Sequence, residues 1–287
     1  MSLSGKLYLC ATPIGNLGDM SQRAIEVLKE VDLVAAEDTR HTMKLFNHFD
    51  IHTPLTSYHQ HNSKSKGEYL LGALLEGKNV ALVTDAGMPG ISDPGEELTS
   101  LAAGAGITVV PVPGANAALC ALVVSGLPAG RFCFEGFQHP GGAKRSRRLE
   151  KLKNEERTMV FYESPHRVAR TLSDMLEVWG NRRIAIAREI TKRYEEIWRG
   201  ELSEVGGFFA IKSPRGEFTL VVQGVLAGSE GLLTPSQEDP QGVVELVRER
   251  QARGVDKKEA MREVAKRLGI SRRQVYDMLL QVEKKEE

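Results

Sequence analysis

Three stretches in the first half of this 287-residue chain share one design, in which a short apolar run breaks into a loop rich in Gly, Pro and Asp that leads into a helix-like segment. They are LYLCATPIGNLGD (Leu7 to Asp19), VALVTDAGMPGISDPG (Val80 to Gly95) and VVPVPGANAALC (Val109 to Cys120). In an open α/β sheet, loops leaving the carboxyl ends of parallel strands line one crevice, and ligands bind there. Taken singly, Gly87, Gly90, Gly95 and Gly114 need serve only tight turns. Repeated at three corresponding strand ends, they point to backbone that comes close to a ligand.

The same alternation extends through the first 112 residues. Apolar runs predict strands at Leu7 to Ala11, Leu33 to Ala36, Pro54 to Ser57, Val80 to Thr84 and Ile107 to Val110. Amphipathic stretches predict helices at Ser21 to Lys29, Thr39 to Phe49, Lys64 to Glu76 and Gly95 to Ala103. A repeated βα order implies a parallel sheet with right-handed crossovers. The two prolines and the glycine of Val110 to Gly114 suggest a hinge, after which the order becomes mixed, as in a second α/β domain with some antiparallel strands. The expected division is 1–112, 113–226, a linker at 227–241 and a helical module at 242–287.

Lys plus Arg and Asp plus Glu both total 38, so no global charge marks a polyanionic partner and any nucleic-acid contact must come from local patches. Cys10, Cys120 and Cys133 are odd in number, widely spaced and set in apolar runs, which suits reduced thiols in the cytoplasm. No targeting segment or membrane-length apolar run is visible, so no membrane partner is expected. Five of the seven histidines lie between His41 and His61, but without matched ligand spacing, and no metal is predicted. The dinucleotide fingerprint is absent. GALLEGKN (Gly72 to Asn79) nearly matches a phosphate-binding loop, yet it has Asn79 where Ser or Thr should be, and it precedes a strand instead of following one.

Several polar clusters have both a structural and a functional reading. Lys144, Arg145, Arg147 and Arg148 could form a solvated helix face or contact RNA phosphates. Ser164 and Pro165 suit the start of a helix, where His166, Arg167 and Arg170 would add cations for a backbone phosphate. Asp38 suits a helix cap, with Glu37 and Arg40 placed to face the crevice. In the tail, Ala265, Gly269, Ser271 and Val275 have helix-turn-helix spacing, and Arg272 and Arg273 would open its second helix. A plain helical hairpin fits that spacing equally.

Read in order, TPIGNLGD, AAEDTRHT, TDAGMPGISDPG, VPGANAAL, FYESPHR and GEFTLVV resemble the tetrapyrrole-methylase superfamily. Within it they are similar to the ribosomal RNA small-subunit methyltransferase I family, which methylates a cytidine ribose 2′-hydroxyl in 16S rRNA with S-adenosylmethionine. The first and second loops depart from the GPGD and GDP patterns of the porphyrin-modifying branch. The resemblance implies a parallel-sheet N-terminal domain, a mixed-sheet second domain and a small C-terminal helical module. It implies S-adenosylmethionine in the cleft, held by Pro13, Ala86, Gly87, Met88 and Ile91 from the first domain and by Asn116, Ala117, Glu163 and Gly216 from the second. Small-subunit rRNA or the assembled subunit would be the substrate, and a homodimer the working form. Glu163, Glu37, His59 or His166 could serve as base. A small-molecule methylase of the same fold and a ligand-sensing DNA-binding regulator stay open as alternatives.

Overall fold

The computed structural model describes residues 4–205, 215–225, 240–252, 254–268 and 271–286. The chain forms two compact units, Met1–Val225 and Leu226–Glu287.

In the first unit, five parallel strands, β1 (Lys6–Cys10), β2 (Leu33–Ala36), β3 (Leu55–Ser57), β4 (Val80–Val83) and β5 (Thr108–Val112), form a sheet in the order β3-β2-β4-β1-β5. Helices α1 (Gln22–Glu30), α2 (Thr39–Phe49), α3 (Ser63–Leu75) and α4 (Glu96–Gly104) make the crossovers. Every residue of β4 is buried, as an apolar run covered on both faces requires. The order has a decisive consequence: β4, β1 and β5 are neighbours, so the three glycine-rich loops leave adjacent strands.

The expected hinge at Val110 to Gly114 is corrected by this sheet, because Val110 to Val112 belong to β5 and pair with β1. Pro111 is tolerated there because β5 is an edge strand, where a missing amide breaks no inner ladder. The turn is confined to Pro113–Asn116. Asn116 then caps α5 (Ala117–Val124), its side-chain oxygen accepting from the Leu119 amide at 3.0 Å.

A second five-stranded sheet follows, with β6 (Phe132–Phe137), β7 (Thr158–Glu163), β8 (Arg183–Arg188), β9 (Glu196–Glu201) and β10 (Phe218–Val222) in the order β6-β7-β10-β8-β9. Only β6 and β7 run parallel; the other pairs are antiparallel. Helices α6 (Gly142–Leu152) and α7 (Val168–Trp179) bury Leu149, Leu172 and Met175 against one face of this sheet. Although α5 continues directly from the first sheet, its Ala118, Ala121 and Leu122 pack with Val160, Ala185 and Val221 on the other face. That crossing of the chain draws the third glycine loop against the second sheet.

The second unit contains helices at Pro240–Ala252, Lys257–Leu268 and Arg272–Glu286, so helix begins slightly before the expected boundary at 242. Val243, Val247, Ala260, Val264, Ala265, Val275 and Leu279 form its own core. Ser271 accepts from the Gln274 amide at 3.2 Å while the Gln274 side chain accepts from the Ser271 amide at 2.8 Å, a reciprocal cap. Gly269 and most of the expected linker lie outside the described residues.

Candidate active site

The loops after β1 and β4 are zipped together. Thr12 and Gly87 exchange both backbone hydrogen bonds, at 2.9 and 3.1 Å, and the Thr12 hydroxyl donates to the Thr84 carbonyl at 3.0 Å. Gly87 sits at φ +86, where a side chain is strained; a Cβ there would lie 3.5 Å from Ile14 and 3.7 Å from the Ala115 carbonyl. A Cβ on Gly114 would come within 2.9 Å of the Ala11 Cβ. Glycine thus lets the three loops close on one another.

Between these loops and the second sheet lies a cavity of about 420 Å³. Ile14, Ala86, Gly87, Met88 and Ile91 line it from the first sheet's loops, and Asn116 and Ala117 from the third loop and the start of α5. Phe137, Tyr162, Glu163, Ala187, Ile190 and Phe218 line it from the second sheet. The Phe137 and Tyr162 rings lie 5.5 Å apart and tilted at 58° to one another, and the Tyr162 hydroxyl accepts from the Ala118 amide at 3.3 Å, which fixes an aromatic wall. The wall is largely apolar and few polar groups converge on it, as in small-molecule sites generally.

Those polar groups are mostly acids. Glu37, Asp85 and Asp93 all line the cavity. The Asp38 amide donates to Asp85 at 3.2 Å and the Asp85 amide donates to Glu37 at 3.4 Å, so the end of β2 and the loop after β4 hold each other. Burial, with the neighbouring charges of Glu37 and Asp85, pushes the Asp93 carboxyl up to about 7. Burial also raises Glu37, with Asp85 adding to the effect and the Asp85 amide opposing it.

Glu163 is different. Buried to 2% exposure, it accepts from the Ser164 amide at 2.8 Å, Arg167 Nε at 2.9 Å and the Thr171 hydroxyl at 2.6 Å. With both oxygens engaged, it is placed to position the wall.

Of the residues that the sequence nominated for the cofactor, Ala86, Gly87, Met88, Ile91, Asn116, Ala117 and Glu163 line this cavity, while Pro13 and Gly216 do not. Pro13 borders a smaller recess with His41 and Lys44, leaving its neighbour Ile14 on the wall. Gly216, at φ +88, makes a turn so tight that a Cβ would meet the Glu189 side chain at 2.6 Å; its neighbour Glu217 lines the cavity.

Other nominated residues are also redirected. Arg40 points outward and binds Asp38 at 2.7 Å, holding that carboxyl below its ordinary range, and only Glu37 of that cluster reaches the cavity. Ser164 does not cap α7 with its side chain. Its carbonyl accepts from Val168 and its hydroxyl from Arg167 Nε, so α7 starts three residues later than expected. His166 and Arg170 are exposed, and His166 is not among the lining residues. Half-buried His59 likewise lies outside the cavity lining, its ring 3.3 Å from the Asn62 amide nitrogen.

On α6, Lys144 and Arg147 are exposed, but Arg145 is 2% exposed, paired with Asp174 at 2.7 Å and donating to Thr171 at 3.2 Å. Arg145 is therefore no surface contact for a phosphate. Arg148 Nε binds Glu135 at 2.8 Å. Arg272 and Arg273 are exposed on the last helix.

Sequence reasoning overlooked Asp85 and Asp93. Their signal was available, for they are the two ionisable residues of DAGMPGISDPG, a loop that otherwise presents glycine, proline and small or apolar side chains. Among the described residues, no group of three His, Cys, Asp or Glu could hold a metal ion, and no helix is long and apolar enough to cross a membrane.

A family model described as Tetrapyrrole (Corrin/Porphyrin) Methylases matches residues 6–206. The chain is 47% identical over 280 residues to the ribosomal RNA small subunit methyltransferase I of Synechocystis sp., covering 97% of this chain and 99% of that one. The protein of the same name from Bacillus subtilis is 47% identical over 283 residues, 96% of each chain. That from Thermotoga maritima is 50% identical over 220 residues, 99% of its length but 77% of this chain. Among solved structures, the methyltransferase CobJ has a TM-score of 0.57 at 20% identity, covering 77% of this chain and 95% of that one. A uroporphyrin-III C-methyl transferase from Thermus thermophilus complexed with S-adenyl homocysteine has a TM-score of 0.53 at 19% identity, covering 76% and 97%. These two likenesses establish the fold, and the near full-length identities establish the branch: the chain belongs to the ribosomal RNA small subunit methyltransferase I family of the tetrapyrrole methylases.

Proposed function

We propose that the chain is an S-adenosylmethionine-dependent methyltransferase that modifies a cytidine ribose 2′-hydroxyl in the 16S rRNA of the small ribosomal subunit, in the cytoplasm and as a homodimer. The observation that carries this reading is the 47% identity over 97% of the chain to a relative named for small-subunit rRNA methylation.

The cavity fits the cofactor on its own terms. Gly87 opens a cradle that a side chain would fill, apolar groups and the Phe137–Tyr162 pair suit an adenine ring, and carboxylates suit ribose hydroxyls and a cationic centre. Ala86, Gly87, Met88, Ile91, Asn116 and Ala117 would hold it. When bound, the sulfonium supplies an activated methyl group, so no covalent enzyme intermediate is needed. The protein's part is to align the acceptor oxygen, exclude water and remove the hydroxyl proton. Asp93 is the group poised for that last task, with Glu37 beside it, because its carboxyl titrates near working pH.

Exposed Lys144 and Arg147, with Arg272 and Arg273 of the second unit, would meet RNA phosphates. For the homodimer, α5 is apolar around its whole girth and leaves Leu119 and Val123 at 49% and 71% exposure, a surface suited to a second copy. Sedimentation is expected to return twice the chain mass; a monomer at micromolar concentration would remove this part of the reading.

The function is tested by transfer of a radiolabelled methyl group to unmodified small subunits, free 16S rRNA and uroporphyrinogen III. Label is expected on RNA and recovered as 2′-O-methylcytidine after digestion. Label on the porphyrin precursor, or on a base instead of a ribose, would overturn it.

A further inference from the structure

A second cavity, of about 690 Å³, adjoins the first and shares Glu37, Ser92 and Asp93 with it, so these residues form the common wall. Its other walls include Glu96 and Glu97 from the first turn of α4, and Tyr58. Tyr58 is 1% exposed and its hydroxyl has no hydrogen-bond partner; the Leu98 amide lies near it without reaching hydrogen-bond geometry. A buried hydroxyl without a partner is costly in a purely structural role. Glu97 lies close enough for its charge to act on this hydroxyl.

We propose that this second cavity takes the nucleobase of the acceptor nucleotide, a cytosine turned out of its stack, and that Glu97 reads its exocyclic amine. The inference rests on the function proposed above. An ionised Glu97 carboxylate only accepts hydrogen bonds. It can receive the cytosine amine and would repel the carbonyl that uracil has in the same place. The Tyr58 hydroxyl can donate to the ring nitrogen or carbonyl of the same base. With the base held here, the ribose falls at the wall shared with the cofactor cavity, beside Glu37 and Asp93.

A third recess, of about 380 Å³, continues from the second through Gln60, Ser63 and Glu97 and ends at His61 and Lys64. It opens on the amino terminus of α3, a 13-residue helix whose first amides no side chain caps. Lys64 there would meet the flanking phosphate of a strand leaving the base cavity.

The test compares small subunits carrying cytidine or uridine at the acceptor position, using wild type, Glu97→Gln and Tyr58→Phe, with the Kd for S-adenosylmethionine measured by calorimetry. Wild type is expected to prefer cytidine by about 10- to 100-fold in kcat/KM. Glutamine offers both a donor and an acceptor, so Glu97→Gln should shrink that preference to about 3-fold or less while leaving the cofactor Kd unchanged. Tyr58→Phe removes an unpartnered hydroxyl, so it should lower kcat/KM without lowering the melting temperature. A cytidine preference retained in Glu97→Gln, or a cofactor Kd that weakens with it, would overturn the inference. Failure of wild type to methylate RNA at all would instead remove the function on which it rests.

Discussion

Asp93→Asn is expected to lower methyl transfer by about 10²- to 10⁴-fold, the usual contribution of a positioned proton acceptor. The asparagine keeps the shape of the loop and the cofactor cavity, so the Kd for S-adenosylmethionine should change little. The pH profile gives the sharper check. In wild type the rate should rise with pH as the carboxyl ionises near 7 and then level off, whereas the variant should lose that limb. A variant with full activity and an unchanged profile would assign proton removal to Glu37 or to solvent.

Stability should move the other way. Asp93 is pushed up from 3.8 to about 7 in the folded chain, so folding favours its protonated form. The fold therefore loses stability as pH rises from about 4 to 7 and carries the whole penalty above 7. Allowing for solvent on its open side, Asp93→Asn should gain roughly 1–2 kcal/mol at pH 8 and nothing below pH 4, read from urea denaturation. A residue that serves the reaction at some cost to the fold would give both signs together.

Arg145→Ala is expected to destabilise the first unit by about 2–4 kcal/mol, and this is the second large effect. The buried guanidinium ties α6 to α7 through Asp174 and Thr171, and Thr171 in turn donates to Glu163 on the cavity wall. Removing one partner of such a pair leaves the other uncompensated, and the 30% exposure of the Asp174 side chain holds the loss to the lower part of the usual range. Arg145→Met keeps most of the buried stem and should fold. Its RNA affinity should show the wild-type salt dependence, whereas Arg147→Ala should lower the slope of log affinity against log salt by about 0.7–0.9. A reduced slope in folded Arg145→Met would return Arg145 to the RNA surface.

These two residues mark where the sequence was readable. The α6 charge run showed a basic helix, but in Gly142–Leu152 position 145 falls on the face with Leu149 and Leu152, so burial separates Arg145 from Lys144 and Arg147. Asp93 was visible as a residue type, but its altered titration comes first from burial in the folded chain and then from the charges of Asp85 and of Glu37, more than fifty residues away in sequence. Glu163 shows the converse. Its motif marked it as functional, and only the positions of Arg167 and Thr171 show that both of its oxygens already accept hydrogen bonds.

What the sequence by itself determined is local: the glycine-rich turns, the strand and helix periods, the Asp38 and Ser271 caps and the family likeness carried by short motifs. Such features depend on residues close together in the chain. Only the tertiary structure decided that the three loops meet, because strand order β4-β1-β5 makes neighbours of segments some seventy to a hundred residues apart. It also decided that α5 leaves the first sheet to pack on the second, closing the cavity with Phe137, Tyr162 and Phe218. Strand order and packing follow from burying both faces of each sheet at once, a condition on the whole chain that no single motif records.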